Sequence, residues 1–344
     1  MSPFAAAMSA SAVTMRPLVV ILGATASGKT ALSLALAQRF GGEVLSCDSV
    51  AVYRHMELGT AKPTLHQRSL VQHHLLDLCD PDEACTAGDY ARHARAVLGG
   101  LAERNVLPIV SGGTGLYLRA FLDGLFATPA KDPALRLLLR ERAARRGHAS
   151  LHRTLARLDG QAAQRIHVND VSKIVRAIEV SLLARRPMSE LWQESATAPP
   201  HSGARALEGY SILRLGLAPT RVDLYRRIDR RAEAMFANGL VEETRSLVER
   251  FGPNCRPLTS LGYAEAGAEL RNELTQAQAI AKAQQGHRNY AKRQTTWFRR
   301  EGELHPVHWL AGAGDDPAVL REAIGLVEQH LNAGAAPGRP QAVS

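Results

Sequence analysis

The sequence predicts an α/β protein, a parallel-sheet core interrupted once by a helical insertion. Three observations predict it. Leu18-Val19-Val20-Ile21-Leu22 is an unbroken apolar run that turns through a Gly-rich loop into the helical stretch Ala31 to Ala37. A second strand, Gly-rich loop and helix follows from Leu107 to Leu118, and from about Ala127 to Ala206 the strand signals lapse while Arg-rich helical patterns take over. Strands alternating with helices give parallel sheets, because each crossover returns the chain to the same edge. The 344 residues, 45% hydrophobic, are long enough for two domains and a sizeable core.

The loop after the first strand is Gly23-Ala24-Thr25-Ala26-Ser27-Gly28-Lys29-Thr30. G-x-x-x-x-G-K-T between a buried strand and a helix is the complete P-loop pattern, so the core is P-loop NTPase-like. Backbone N–H groups and the helix N-terminus cradle a phosphate chain there, while Lys29 and Thr30 reach phosphate oxygens and Mg²⁺. The pattern reports a nucleotide or diphosphate ligand and leaves the reaction open.

Glu43 to Ser49 reads as a short strand ending in an acid. Ligands of open α/β sheets sit at the carboxyl ends of strands, so Asp48 faces the phosphate site, where a carboxylate holds Mg²⁺ or accepts a proton. Capping the turn is its plainer alternative. Gly59-Thr60-Ala61-Lys62-Pro63 forms a loop, and His73 to Leu78 reads as a strand with Cys79-Asp80-Pro81 as its turn. Neighbouring His73 and His74 point to opposite faces of a strand, which argues against a metal pair. A helix follows from Asp89 to Leu101, with Tyr90, Ala94, Val97, Leu98 and Leu101 on one side. The strand Leu107 to Val110 then delivers Ser111-Gly112-Gly113-Thr114-Gly115. Its glycines suit close approach to a ligand or tight packing, and Thr114 offers a hydroxyl at a helix start.

In the insertion, helices from Ala134 to Leu158 break at Gly147. Another follows Asn169-Asp170, with Ile174, Val175, Ile178 and Val180 apolar and Lys173 and Arg176 on a neighbouring face. A Pro, Ser and Ala-rich stretch from Ser195 to Ala206 closes it. Ser211 to Leu217 returns to the sheet, an Arg-dense amphipathic helix runs from Leu224 to Asn238, and Leu258 to Tyr263 is a loop around Gly262. Tyr290 to Arg300 interleaves aromatic and basic residues. That composition fits stacking on RNA bases, or a helix that turns Trp297 and Phe298 into the core. Pro317 to Leu331 is a final helix. The expected organisation is a disordered extension over 1–14, a P-loop core over 15–126 and 207–332, a helical insertion over 127–206, and a disordered tail over 333–344.

The net charge of +9 is unevenly placed. Residues 1–130 balance 10 Lys and Arg against 10 Asp and Glu, whereas 131–186 carry 13 against 5 and 219–300 carry 15 against 9. Such concentration is the electrostatic footprint of a nucleic-acid partner, with solvated helical faces as the alternative. The four cysteines lack a C-x-x-C pair, which argues against a zinc site or a disulfide framework and suits a reducing, cytoplasmic setting. No apolar run approaches the ~20 residues of a transmembrane helix, and the first residues lack the basic start of a signal peptide, so no membrane partner is expected.

Five motifs together resemble the tRNA dimethylallyltransferase family: Gly23 to Thr30; Asp48-Ser49 with Tyr53 and Gly59 to Pro63; Gly112 to Gly115 with Tyr117; Asn169-Asp170 with Arg176-Ala177-Ile178-Glu179; and Ala291-Lys292-Arg293-Gln294 with Trp297-Phe298-Arg299. They stand in the family's order over roughly residues 17–310. The resemblance implies a monomer that grips a tRNA anticodon stem-loop and, with Mg²⁺, moves a dimethylallyl group from dimethylallyl diphosphate to the exocyclic amine of the adenine 3′ of the anticodon. It implies catalytic roles for Asp48 as general base and for Thr25, Lys29, Arg221 and Arg231, with Thr30 as a Mg²⁺ ligand and Gly23 to Thr30 on the diphosphate. Implied tRNA contacts are Asp48, Ser49, Val50, Ala51, Thr114, Arg136, Ser172, Lys173, Ile174, Val175, Arg176, Thr259, Ser260, Leu261, Gly262, Tyr263 and Ala264. An adenine in a stacked loop must be flipped out to reach a strand end. The chain departs from the family where His55 replaces Gly, Lys173 replaces Arg, and Ala264 replaces Lys or Arg. The zinc-finger extension of eukaryotic relatives is absent, which suggests the bacterial type. Two other classes share parts of the pattern, a P-loop kinase for a small metabolite and a nucleotide-switched RNA-binding module. Neither explains all five motifs.

Overall fold

The structure, a computed structural model, describes residues 15–125, 128–197 and 207–334. They fall into two compact units, 15–121 with 207–334, and 122–197. The second starts at Leu122, ahead of the composition change near Ala127. The expected extension over 1–14 and most of the expected tail lie outside the described residues.

The first unit is built on β1 (Arg16–Gly23), α1 (Lys29–Phe40), β2 (Glu43–Cys47), α2 (Leu65–Leu70), β3 (His73–His74), α3 (Ala87–Glu103), β4 (Pro108–Gly112) and α4 (Gly115–Leu122), which runs to its boundary. The second unit holds α5 (Pro133–Arg146), α6 (His148–Leu158), α7 (Gly160–Arg165), α8 (Val171–Ala184) and α9 (Met188–Thr197). The first then resumes with β5 (Tyr210–Leu217), α10 (Arg221–Ala237), α11 (Leu240–Phe251), a 3-10 turn at Arg256–Thr259, α12 (Tyr263–Leu270), α13 (Gln276–Leu304), β6 (His308–Leu310) and α14 (Pro317–Gly334).

Six parallel strands run in the order β3-β2-β4-β1-β5-β6. This is the P-loop-like α/β core that the sequence predicts. β1 lies centrally, with Leu18 to Leu22 fully buried, which is why that stretch carries no polar alternation. Val19 pairs with Ile109 of β4 and with Leu213 of β5, so the strands end together and Gly23, Cys47, Gly112 and Leu310 open onto one edge. The stretch from His73 to Leu78 is a strand only at His73 and His74; Leu75 and Asp77 take left-handed φ of 67° and 57° and turn the chain away. Likewise α14 runs through Gly334, past the expected start of a disordered tail at 333.

In the second unit Leu151, Leu155, Ile174 and Ile178 meet in a separate apolar core. Three of its helices, α5, α7 and α8, start on acid caps: Asp132 accepts from Leu135 N, Asp159 from Ala162 N and Asp170 from Lys173 N. Gly147, at φ 77°, is the break between α5 and α6.

Candidate active site

The ends of β1, β2 and β4 face a cleft of about 640 Å³ in the first unit. Thr25, Ala26, Gly28, Lys29 and Thr30 line one side, and Asp48 with Ala51 another. Gly28 adopts φ 89° and Ala26 φ 63°, left-handed turns that bend the loop around the cleft. Lys29 Nζ donates to the Gly23 and Ala24 carbonyls at 2.9 and 2.7 Å, which leaves its third proton for a ligand. Burial pulls the Lys29 ammonium down to about 8, Arg231 adds to this, and Asp48 opposes it.

Asp48 Oδ1 accepts from Val50 N at 2.8 Å and Ala51 N at 3.1 Å, so the turn-capping reading holds for one oxygen. The other, Oδ2, takes no hydrogen bond from the described residues. One carboxylate therefore orients itself with one atom and offers the second to the cleft. Thr114 Oγ1 accepts from Ser49 N at 3.0 Å, tying the second Gly-rich loop to the strand end beside Asp48. Tyr290 reaches the same place from α13, and burial together with the Asp48 charge pushes its phenol up to about 12.

Gln294 joins the two loops. Its Oε1 accepts from Thr25 N at 2.8 Å and its Nε2 donates to Gly113 O at 2.9 Å. The second loop's glycines answer to packing: a Cβ on Gly112 would stand 2.1 Å from Cys47 O, on Gly113 2.3 Å from Gln294 Nε2, and on Gly115 2.4 Å from the Trp297 ring. Trp297 lies under the Arg119 guanidinium at 5.1 Å, and Phe298 is buried. The aromatic half of the Tyr290 to Arg300 helix thus faces inward, while Lys292, Arg293, Arg299 and Arg300 are exposed.

Comparison with known proteins agrees with this geometry. A family model described as IPP transferase matches residues 51–301, and one described as isopentenyl transferase matches 16–77. A tRNA dimethylallyltransferase of Koribacter versatilis is 57% identical over 311 residues, covering 90% of this chain and 98% of that protein. The chain belongs to the tRNA dimethylallyltransferase family. The crystal structure of the tRNA isopentenylpyrophosphate transferase of Bacillus halodurans is 33% identical, with a TM-score of 0.65 over 93% of this chain and 98% of that one. A eukaryotic dimethylallyltransferase structure at 23% identity and TM-score 0.77 shares the fold.

Within this member of the tRNA dimethylallyltransferase family, the cleft gathers Thr25, Lys29, Thr30, Asp48 and Arg231. Arg221 stands exposed at the start of α10, over the Tyr225 ring at 5.1 Å, and does not line the cleft. Arg227 and Arg230 do, with Tyr290, Gln294 and Asp315. Sequence reading had Tyr290 and Gln294 only within the aromatic-basic helix and its motif, and missed Arg227, Arg230 and Asp315. Arg227, Arg230 and Arg231, at i, i+3 and i+4 of one helix, carried a signal; Asp315, on the loop after β6, carried none.

The residues expected on tRNA divide by exposure. Ser172, Lys173 and Thr259 are exposed, and Lys173 pairs with Asp170 at 2.6 Å. Asp48, Ser49, Val50, Ser260, Leu261 and Ala264 are half-buried. Ala51, Ile174, Val175 and Gly262 are buried, and Tyr263 is fully so, donating to Glu243 at 2.5 Å. Arg136 grips Glu179 with two hydrogen bonds at 2.8 and 2.7 Å, and Arg176 meets the same carboxylate at 2.5 Å. Glu179 is fully buried, and these two arginines hold its carboxyl down at about 2 against the desolvation that opposes them. Both guanidiniums are thereby committed to the second unit's own packing. His55 takes φ 64° and stacks on Phe251 with ring centroids 5.9 Å apart.

Proposed function

We propose that the chain transfers a dimethylallyl group from dimethylallyl diphosphate to the exocyclic amine of the adenine 3′ of a tRNA anticodon, with Asp48 as general base. The observation that carries this reading is the free Oδ2 of Asp48 opening into the cleft that the P-loop lines. The amine nitrogen attacks C1 of the donor, the C1–O bond breaks, and its electron pair leaves with the diphosphate. The extra proton passes from nitrogen to Asp48. An aromatic amine is a weak nucleophile, so both the base and a stabilised leaving group are needed.

The donor's diphosphate suits the P-loop amides, Lys29 and Arg231, and the adenine, flipped from its loop, suits the space between Asp48 and Thr114. Thr30 offers a hard hydroxyl oxygen on the same cleft, which alone cannot fill an octahedron. That fits Mg²⁺, which keeps waters and takes phosphate oxygens, and which when bound neutralises diphosphate charge. The exposed bases of α13, Lys292, Arg293, Arg299 and Arg300, suit the phosphates of an RNA stem-loop.

The test is incubation of the protein with Mg²⁺, unmodified tRNA and labelled dimethylallyl diphosphate, with ATP and small metabolites in a parallel reaction. Label in the adenine flanking the anticodon is the expected result. No label in tRNA, with ATP consumed, would return the cleft to a kinase.

A further inference from the structure

The Gly59 to Pro63 loop and the loop around Gly262 meet at one buried phenol. Thr60, Ala61, Lys62 and Pro63 form a wall of the cleft. Behind that wall stands Tyr263, fully buried at the start of α12. A Cβ on Gly59 would stand 2.3 Å from the Tyr263 ring, which is the reason for glycine there. The phenol donates to Glu243 Oε1 at 2.5 Å, and the two oxygens of the same carboxylate accept from Leu58 N at 3.1 and 3.0 Å. Lys62 carries the connection onward. Its side chain is wholly buried, and Nζ donates to Tyr53 O at 2.6 Å, Glu57 Oε1 at 3.0 Å and Asp77 Oδ1 at 2.6 Å, which uses all its protons. Tyr53 N in turn donates to Val50 O at 3.1 Å, and Val50 N to Asp48 Oδ1 at 2.8 Å.

We propose that Tyr263 is a positioning residue: through Glu243 it braces the Leu58-Gly59 backbone, and so holds both the cleft wall and the turn that orients Asp48, without touching RNA. This rests on reading Asp48 as the base of the proposed transfer. The ring is the platform on which Gly59 lies, and the hydroxyl fixes the carboxylate that holds Leu58 N. From there the 57–62 segment closes on itself, with Ala61 N donating to Leu58 O at 3.1 Å and Lys62 N to Glu57 O at 3.4 Å. A reacting group keeps its geometry only as well as the groups behind it are packed and hydrogen-bonded. A fully buried side chain offers RNA no surface, which separates this role from the contact that the family resemblance implies.

The experiment compares the native full chain with Tyr263→Phe, which keeps the ring against Gly59 and removes only the hydroxyl. Tyr210→Phe is the control: it loses a phenol bonded to Leu98 O at 3.4 Å, at the start of β5 and so at the opposite end of the sheet from the cleft. Amide hydrogen exchange of the free protein, read by mass spectrometry, should quicken about tenfold across residues 50–62 in Tyr263→Phe and stay native there in Tyr210→Phe. Single-turnover transfer of labelled dimethylallyl to saturating tRNA should fall about 10- to 100-fold in Tyr263→Phe, with the Kd for tRNA within about threefold. Faster exchange confined to residues 240–265 overturns the proposal, as does a native transfer rate in Tyr263→Phe. A loss of tRNA affinity as large as the loss of rate also overturns it and returns Tyr263 to the RNA surface. The exchange measurement needs no prenyl transfer. A native protein that transfers no label loses the proposed reaction, while the brace stands or falls on the exchange of residues 50–62.

Discussion

Gln294→Met tests whether the two Gly-rich loops must be tied together. The substitution keeps the side chain's length and removes both of its hydrogen bonds, the acceptor for Thr25 N and the donor for Gly113 O. Thr25 lines the cleft, so water can replace its partner, whereas the bond to Gly113 O is buried and its carbonyl is orphaned. A lost buried bond costs about 1–3 kcal/mol and a water-replaceable one about 0.5–1.5 kcal/mol, so a global loss of about 1.5–4.5 kcal/mol is expected in urea unfolding. The kinetic effect should be distinct from this. Thr25 belongs to the diphosphate loop and Gly113 to the loop that holds Thr114 beside Asp48, so a slack of about 1 Å between them should lower the single-turnover transfer rate by about 100-fold. The Kd for tRNA should stay within about threefold, because Gln294 is buried. Full transfer rate in a protein destabilised as expected would refute the positioning role, and so would an effect confined to tRNA affinity.

Three further outcomes follow from the same structure. Glu179→Ala leaves Arg136 and Arg176 facing a pocket without a counter-charge, and the cost should be about 3–5 kcal/mol in urea unfolding; a loss below about 1 kcal/mol would mean the cluster does not hold the second unit together. Gly115→Ala forces a Cβ to within 2.4 Å of the Trp297 ring, and the displaced ring should cost about 1–3 kcal/mol, read in the thermal melt with a change in Trp fluorescence. For pH, Lys29 is a cation whose value is lowered to about 8, so its charge is present below that pH and is lost as pH rises through it. The rate constant kcat/KM for the diphosphate donor should therefore fall on the alkaline side with an apparent value of about 8, which Lys29→Arg should move upward; a flat profile from pH 7 to 9 would contradict the assignment.

The parts of the site that sequence made legible are those where one short stretch carries both fold and chemistry. The P-loop is such a stretch: the apolar strand, the glycines and Lys29 are contiguous, and each is required by the same backbone path. Asp48 was legible for a related reason, since an acid at a strand end lies on the ligand edge of a parallel sheet whatever the remaining topology. What stayed hidden depends on residues far apart in the chain. Gln294 and Thr25 are separated by 269 positions, and nothing in a helical Ala-Lys-Arg-Gln run says which residue turns inward. Asp315 became a cleft residue only because β6 pairs beside β5. The Arg136, Arg176 and Glu179 cluster was likewise invisible, because Arg136 and Glu179 lie 43 positions apart and nothing in the helix pattern marks that acid as buried. The strand expected from His73 to Leu78 failed locally: left-handed Leu75 and Asp77 are set by the surrounding loop rather than by their own propensity.

The account's central claim is that Asp48 takes the proton from the attacking amine, and Asp48→Asn tests it most directly. Asn keeps an oxygen for Val50 N and Ala51 N, so the turn should persist. The decisive measurement is single-turnover transfer of labelled dimethylallyl to saturating tRNA, beside the Kd of the same tRNA. The account predicts a rate lower by about 100- to 10,000-fold with the Kd within about threefold. A transfer rate near the native one, or a loss of tRNA affinity as large as the loss of rate, would contradict it.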